Sequence, residues 1–105
     1  MILERAQIDI RPGLEPAFEE ALVEARKVIS RSAGFRSLRA LRGIERPGTY
    51  LLAIEWETLE DHTEGFRGSE LFTRWRELLG PYFESPPEVE HFDPVEGETH
   101  EGEWR

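Results

Sequence analysis

The sequence contains no cysteine, which removes disulfides, thiolate metal sites and cysteine nucleophiles from consideration. It has no asparagine, a single glutamine (Gln7) and a single lysine (Lys27), so nearly every cation is an arginine. Few thermolabile amides and many charges are the composition of a heat-stable protein. Positive charge is scarce overall: 13 basic residues face 22 acidic ones, a formal net charge of −9. A phosphate-binding surface needs a basic footprint, so neither nucleic acid nor an anionic membrane is expected as a partner. The acidity reads as a means of staying in solution. Long apolar runs are missing too, since no stretch approaches the ~20 residues of a membrane span. Met1-Ile2-Leu3-Glu4-Arg5 lacks the basic-then-apolar order of a secretory leader, and a cytoplasmic location is the expectation. Glycine-rich phosphate loops, nucleophile elbows and serine-triad signals are absent as well.

What is present is enough for one domain. At 105 residues a chain buries roughly two-thirds of the surface its unfolded form exposes, and pairing with a second copy would add to that core. Residues 2–10 place Ile2, Ala6, Ile8 and Ile10 on one side and Arg5, Gln7 and Asp9 on the other, the period of two of a strand. Glu4 falls on the apolar side, which suggests a frayed strand start. After Arg11-Pro12-Gly13, the apolar residues Leu14, Phe18, Ala21, Leu22, Ala25, Val28 and Ile29 recur at helical spacing to about Arg31. Gly34 is placed to end that helix.

A second strand is expected over 35–41, with looser alternation, and a turn at Glu45-Arg46-Pro47-Gly48. Residues 50–56 are apolar on both faces, the pattern of a central strand covered on each side. Thr58 and Asp61 have the spacing of a capping box, opening a short helix with Leu59, His62 and Phe66 along one face. Ser69 is placed to cap the next helix, which carries Leu71, Phe72, Trp75, Leu78 and Leu79 and stops at Gly80-Pro81. A last strand is expected over 88–95, followed by an acidic tail at 96–105 read as mobile, with His100 idle in it and Trp104 near its end.

The order β-α-β-β-α-β is the split βαβ arrangement. Right-handed crossovers then put both helices on one face of a four-stranded antiparallel sheet. The other face is left bare against a strand that is apolar on both sides, and a second copy of the sheet would cover it. The fold class is therefore α+β, ferredoxin-like, with residues 1–95 as the domain.

Trp56-Glu57-Thr58-Leu59-Glu60-Asp61-His62, Ser69-Glu70-Leu71-Phe72-Thr73-Arg74-Trp75, Pro81-Tyr82-Phe83 and Val89-Glu90-His91-Phe92 together resemble the antibiotic-biosynthesis-monooxygenase family over roughly residues 2–95. The resemblance implies a homodimer whose two sheets close into an α+β barrel, with a ligand cleft in each subunit between sheet and helices. It also implies one of several activities: some members oxygenate phenols or quinols with no metal or flavin, others degrade haem, others isomerise small metabolites. The haem-degrading branch uses an Asn on the first strand and a Trp and a His in the second helical region. Those positions read Ala6, Phe66 and Arg76 here, so haem turnover by that route is not expected.

His62 is the candidate catalytic residue. An imidazole titrates near neutrality, as a general base must, and a helix face shared with Phe66 would aim it at the sheet. Oxygenation without a cofactor needs little more than a base and a dry pocket, because the deprotonated phenol itself reduces O2. The competing reading of His62 is a half-buried structural histidine. His91, between Glu90 and Phe92, is either a second cleft group or a sheet residue near a dimer contact. Trp56, Phe66, Phe72, Trp75 and Tyr82 could line a pocket for a flat aromatic ligand, or form core. The histidine spacings match no metal-ligand pattern, and neither a metal nor another cofactor is expected. Three functions follow: a cofactor-independent oxygenase of a small aromatic or quinol, a haem-binding or haem-degrading protein, and a non-enzymatic dimeric ligand-binding module.

Overall fold

A computed structural model describes residues 1–95; the expectations for the tail at 96–105, with His100 and Trp104, lie outside the described residues. Strand β1 (Ile2–Asp9) leads into helix α1 (Glu15–Ile29), then β2 (Phe35–Arg42) and β3 (Thr49–Trp56). A π-helical turn (Asp61–Phe66) and helix α2 (Glu70–Leu79) follow, and β4 (Glu88–Phe92) closes the domain. The strands form one antiparallel sheet in the order β2-β3-β1-β4. This is the ferredoxin-like α+β fold that the alternation of periods predicts.

The apolar faces meet as the side-chain periods require. Ala6, Ile8, Tyr50, Leu52, Ile54 and Trp56 point from β1 and β3 into the core, against Phe18, Leu22, Ala25 and Ile29 of α1. In β2 the pairing jumps between Phe35 and Ser37, leaving Arg36 as the extra residue of a bulge. That insertion restores Leu38 to the core face, and it is why the alternation of this strand reads loosely in sequence.

Sequence expectations need correction at Glu4, at Leu59 and at the last strand, which ends at Phe92 instead of 95. Glu4 does not mark a frayed start: β1 begins at Ile2, pairs with β3 from that residue, and holds Glu4 buried on its core face. Leu59 does not share the buried face of His62 and Phe66, being 38% exposed where His62 and Phe66 are each 2% exposed. The turn that carries the histidine is wider than an α-helix, with the Arg67 amide reaching the His62 carbonyl at 3.1 Å. A wider turn keeps residues four apart in line and rotates those three apart away from each other.

The capping box at the start of that turn forms in both directions. Asp61 N–H donates to Thr58 Oγ1 (3.1 Å) and Thr58 N–H donates to Asp61 Oδ2 (3.2 Å). Gly34, at φ +83°, lies directly against it: a Cβ there would fall 2.1 Å from Asp61 Oδ2. Ser69 stands at the start of α2 with extended backbone, but its hydroxyl donates back to the Phe66 carbonyl at 2.7 Å instead of capping forward. That bond ties the end of the π-turn to the next helix. Both segments are thereby held over the sheet, with His62 beneath them.

Candidate functional site

Between the core face of the sheet and the π-turn with α2 lies a cavity of about 550 Å³, a volume suited to a small organic ligand. Its base is Ala6 and Ile8 of β1 with Leu52 and Ile54 of β3. Phe66, Phe72 and Trp75 make an aromatic wall, with Phe72 and Trp75 packed edge-on to Phe66 at 5.4 and 5.9 Å between ring centres. Arg67, Arg76 and the segment 84–87 also line it.

At one end of the cavity the polar groups form a chain. Register sets its base: Glu4 of β1 is paired with His91 of β4, so both project from the core face of adjacent strands. His62 comes down onto them from the π-turn. Its Nδ1 is 2.8 Å from Nε2 of His91 and its Nε2 is 3.3 Å from Oε1 of Glu4. Trp56 donates its indole N–H to the same Glu4 oxygen at 2.9 Å and stacks on the His62 ring at 5.3 Å. Because the partners of His62 lie on opposite ring nitrogens, one tautomer assignment satisfies a carboxylate at Glu4. In it His91 Nε2–H donates to His62 Nδ1, and His62 carries its proton on Nε2, facing Glu4 Oε1 across a 3.3 Å contact. The alternative tautomer has His62 Nδ1–H donating to Nε2 of His91, with the bare Nε2 of His62 facing Glu4.

Burial sets the protonation of these groups. Desolvation lowers the pKa of His62 from 6.5 to about 4, helped by the positive charge of Arg67 and by His91. His91 is lowered for the same two leading reasons, burial and Arg67. Both imidazoles are therefore neutral at pH 7, the form that accepts a proton. Glu4 is raised by its burial, against the opposing effects of the Trp56 hydrogen bond and of Arg67. With the carboxyl raised above 4.5 and the imidazole lowered to about 4, burial reverses the ordinary order of proton affinity of the two groups.

The sequence-derived candidates divide by position. His62, Phe66, Phe72 and Trp75 line the cavity. Trp56 and His91 stand outside the lining: Trp56 is fully buried behind His62 and anchors Glu4, while His91 holds the far nitrogen of His62. Tyr82, at the short 3-10 turn after α2, is also outside it. Glu4 and Arg67 belong to the site and were missed. An acidic residue on the apolar side of a strand was the available signal for Glu4; position 67 gave none. Ala6, Phe66 and Arg76, the residues weighed in the sequence against haem turnover, all line the cavity. Among the described residues no group of three His, Asp or Glu side chains is arranged to hold a metal ion, and no helix is long and apolar enough to cross a membrane.

The chain matches the antibiotic biosynthesis monooxygenase family over residues 1–78. It is 44% identical over 95 residues to the uncharacterized protein YczJ of Bacillus subtilis, covering 90% of this chain and all of that one. Among solved structures, an antibiotic biosynthesis monooxygenase family protein from Bordetella bronchiseptica superposes with a TM-score of 0.87 at 39% identity, over 90% of this chain and 96% of that one. SnoaB of Streptomyces nogalater, a cofactor-independent oxygenase, shares the fold with a TM-score of 0.74 at 14% identity, over 89% of this chain and 91% of that one. The protein belongs to the antibiotic biosynthesis monooxygenase family.

Proposed function

We propose that this family member is a cofactor-independent oxygenase of a flat hydroxyarene or quinol, with the buried Glu4–His62 pair as its base. The observation that carries this reading is the pair's position at the end of an apolar, aromatic-walled cavity. A phenolic O–H placed against it loses its proton to the pair, and His91 and Trp56 keep both members oriented. Exclusion of water matters here, because an arene anion stripped of its hydration gives up an electron more readily.

The chemistry balances without a further redox partner. The anion passes one electron to O2, and the resulting radical and superoxide combine at a ring carbon that still carries hydrogen. The peroxide formed takes up the proton held by the base, the ring C–H is lost, and the O–O bond breaks. One oxygen atom stays as a quinone carbonyl and the other leaves as water. The substrate is oxidised by O2 alone, and the base ends as it began.

The same reading includes a homodimer joined through the open sheet face. Leu51 and Ala53 alternate with the core residues of β3 and are half-buried on that face, where Leu3 and Phe92 are exposed. Two such faces meeting would form the barrel that the family resemblance implies.

The test is turnover of a panel of hydroxynaphthalenes and naphthoquinols under 18O2, read by mass spectrometry. Incorporation of one labelled oxygen into the product supports the reading. Oxygen uptake on no member of the panel, or release of hydrogen peroxide with no label in the product, overturns it.

A further inference from the structure

Two of the residues that line the cavity, Arg67 and Arg76, are cations with no carboxylate within ion-pair distance among the described residues. Arg5, Arg36, Arg42 and Arg74 are each paired, to Glu90, Glu57, Glu19 and Glu77, and of the described arginines without a carboxylate partner only Arg67 and Arg76 line this cavity. Glu84 also lines the cavity and pairs with neither arginine. The two charges are placed differently. Arg67 closes the π-turn directly after Phe66, and its charge reaches Glu4, His62 and His91. Arg76 lies one helical turn beyond Phe72 on α2, with its guanidinium 5.7 Å from the centre of that ring. It is thus held against the aromatic wall while its N–H donors remain available.

A purely apolar ligand would pass these two guanidiniums without using them. A guanidinium beside a low-dielectric wall binds a carboxylate through paired N–H donors, more strongly than it does in open water. We propose that the cavity selects an aromatic acid, a hydroxyarene carrying a carboxylate, with Arg76 pairing the carboxylate and Arg67 facing the phenolic oxygen beside Glu4 and His62. This rests on the cavity being the ligand site, as in the oxygenase reading, and adds the charge of the substrate. In a chain of net charge −9 the general field repels anions, so their capture depends on these two local cations.

The experiment is calorimetric titration of the full chain, without oxygen, with 6-hydroxy-2-naphthoate and with 2-naphthol, which differ by the carboxylate alone. The wild type is expected to bind the acid at least ~10-fold more tightly, the scale of one charge-assisted contact. Arg76→Gln should abolish that preference, bringing the acid to the affinity that 2-naphthol shows for the same variant. Arg67→Gln should weaken both probes. Added salt should erode the preference, as for any partly exposed ion pair. Both arginines are exposed, and a thermal melt checks that each variant is folded. Equal affinity of the wild type for the two probes, a preference that persists in Arg76→Gln, or failure of both probes to bind would each overturn the proposal. Tight, Arg76-dependent binding of the acid with no oxygen uptake on any substrate would leave it standing and defeat the oxygenase reading instead.

Discussion

Trp56 donates its indole N–H to Glu4 at 2.9 Å in a fully buried contact between adjacent strands. The bond does two things. It satisfies the one polar atom of the tryptophan, and it fixes the carboxylate on which His62 also rests. Glu4→Leu removes the acceptor and leaves a buried N–H unpaired, a loss of about 1–3 kcal/mol. Glu4→Gln keeps an acceptor and should retain most of the stability while losing the base. Thermal melts of both variants check this; equal melting temperatures would mean that the Trp56 bond contributes nothing net.

Acid should destabilise the protein through His62. Its pKa is about 4 in the fold against an ordinary 6.5, so between those values the unfolded chain binds more protons and stability falls as pH falls. The full shift corresponds to about 3 kcal/mol. His91, also lowered, adds in the same direction. Glu4 opposes: its raised pKa favours the fold at low pH and loses that contribution as pH rises above 4.5. His62→Gln should therefore flatten the decline in melting temperature between pH 6.5 and pH 4.5. An unchanged slope in the variant would remove His62 as its source.

Filling the cavity from its floor should block it without unfolding the domain. Ala6 is buried, lies in β1 and lines the cavity, so Ala6→Leu sends its added methyl groups into open space. Overpacking usually costs ~1–3 kcal/mol in a closed core, and less is expected here. The variant should melt near the wild type and bind hydroxynaphthalenes at least ~10-fold more weakly, a loss of ~1.4 kcal/mol. Unchanged binding would place the ligand elsewhere.

Gly34 supports the site from a distance. Alanine there would meet Asp61 Oδ2 at 2.1 Å and would have to adopt φ +83°, so Gly34→Ala should displace the Thr58–Asp61 box that carries His62. Loss of a cap together with backbone strain is worth ~1–3 kcal/mol. A melting temperature within a degree of the wild type would contradict this account of the turn.

These cases also mark what the sequence could convey. The periods of β1, α1, β3 and α2 follow directly from which side chains must be buried, and the fold follows from their order. Thr58 and Asp61 could be paired on spacing alone because both halves of a capping box are local. Glu4 could not be interpreted that way, since a lone acid among apolar residues reads as a fault until its partners from β3, the π-turn and β4 are in place. Arg36 looked like poor alternation because a bulge is set by the neighbouring strand. Leu59 was misplaced because the sequence has no signature separating a π-turn from an α-turn. Trp56 was legible as an important aromatic, but its place behind His62 depends on the register of β3 against β1.

The central claim is that the Glu4–His62 pair takes the proton that starts the reaction. It is tested most directly by oxygen-electrode measurement of kcat/KM on an accepted hydroxynaphthalene at pH 7, comparing wild type, Glu4→Gln and His62→Gln, all confirmed folded. Loss of a general base predicts a decrease of ~10²-fold or more in both variants, with ligand affinity largely kept. Rates in His62→Gln and Glu4→Gln within a factor of about three of the wild type, a difference of under ~1 kcal/mol in the barrier, would contradict it.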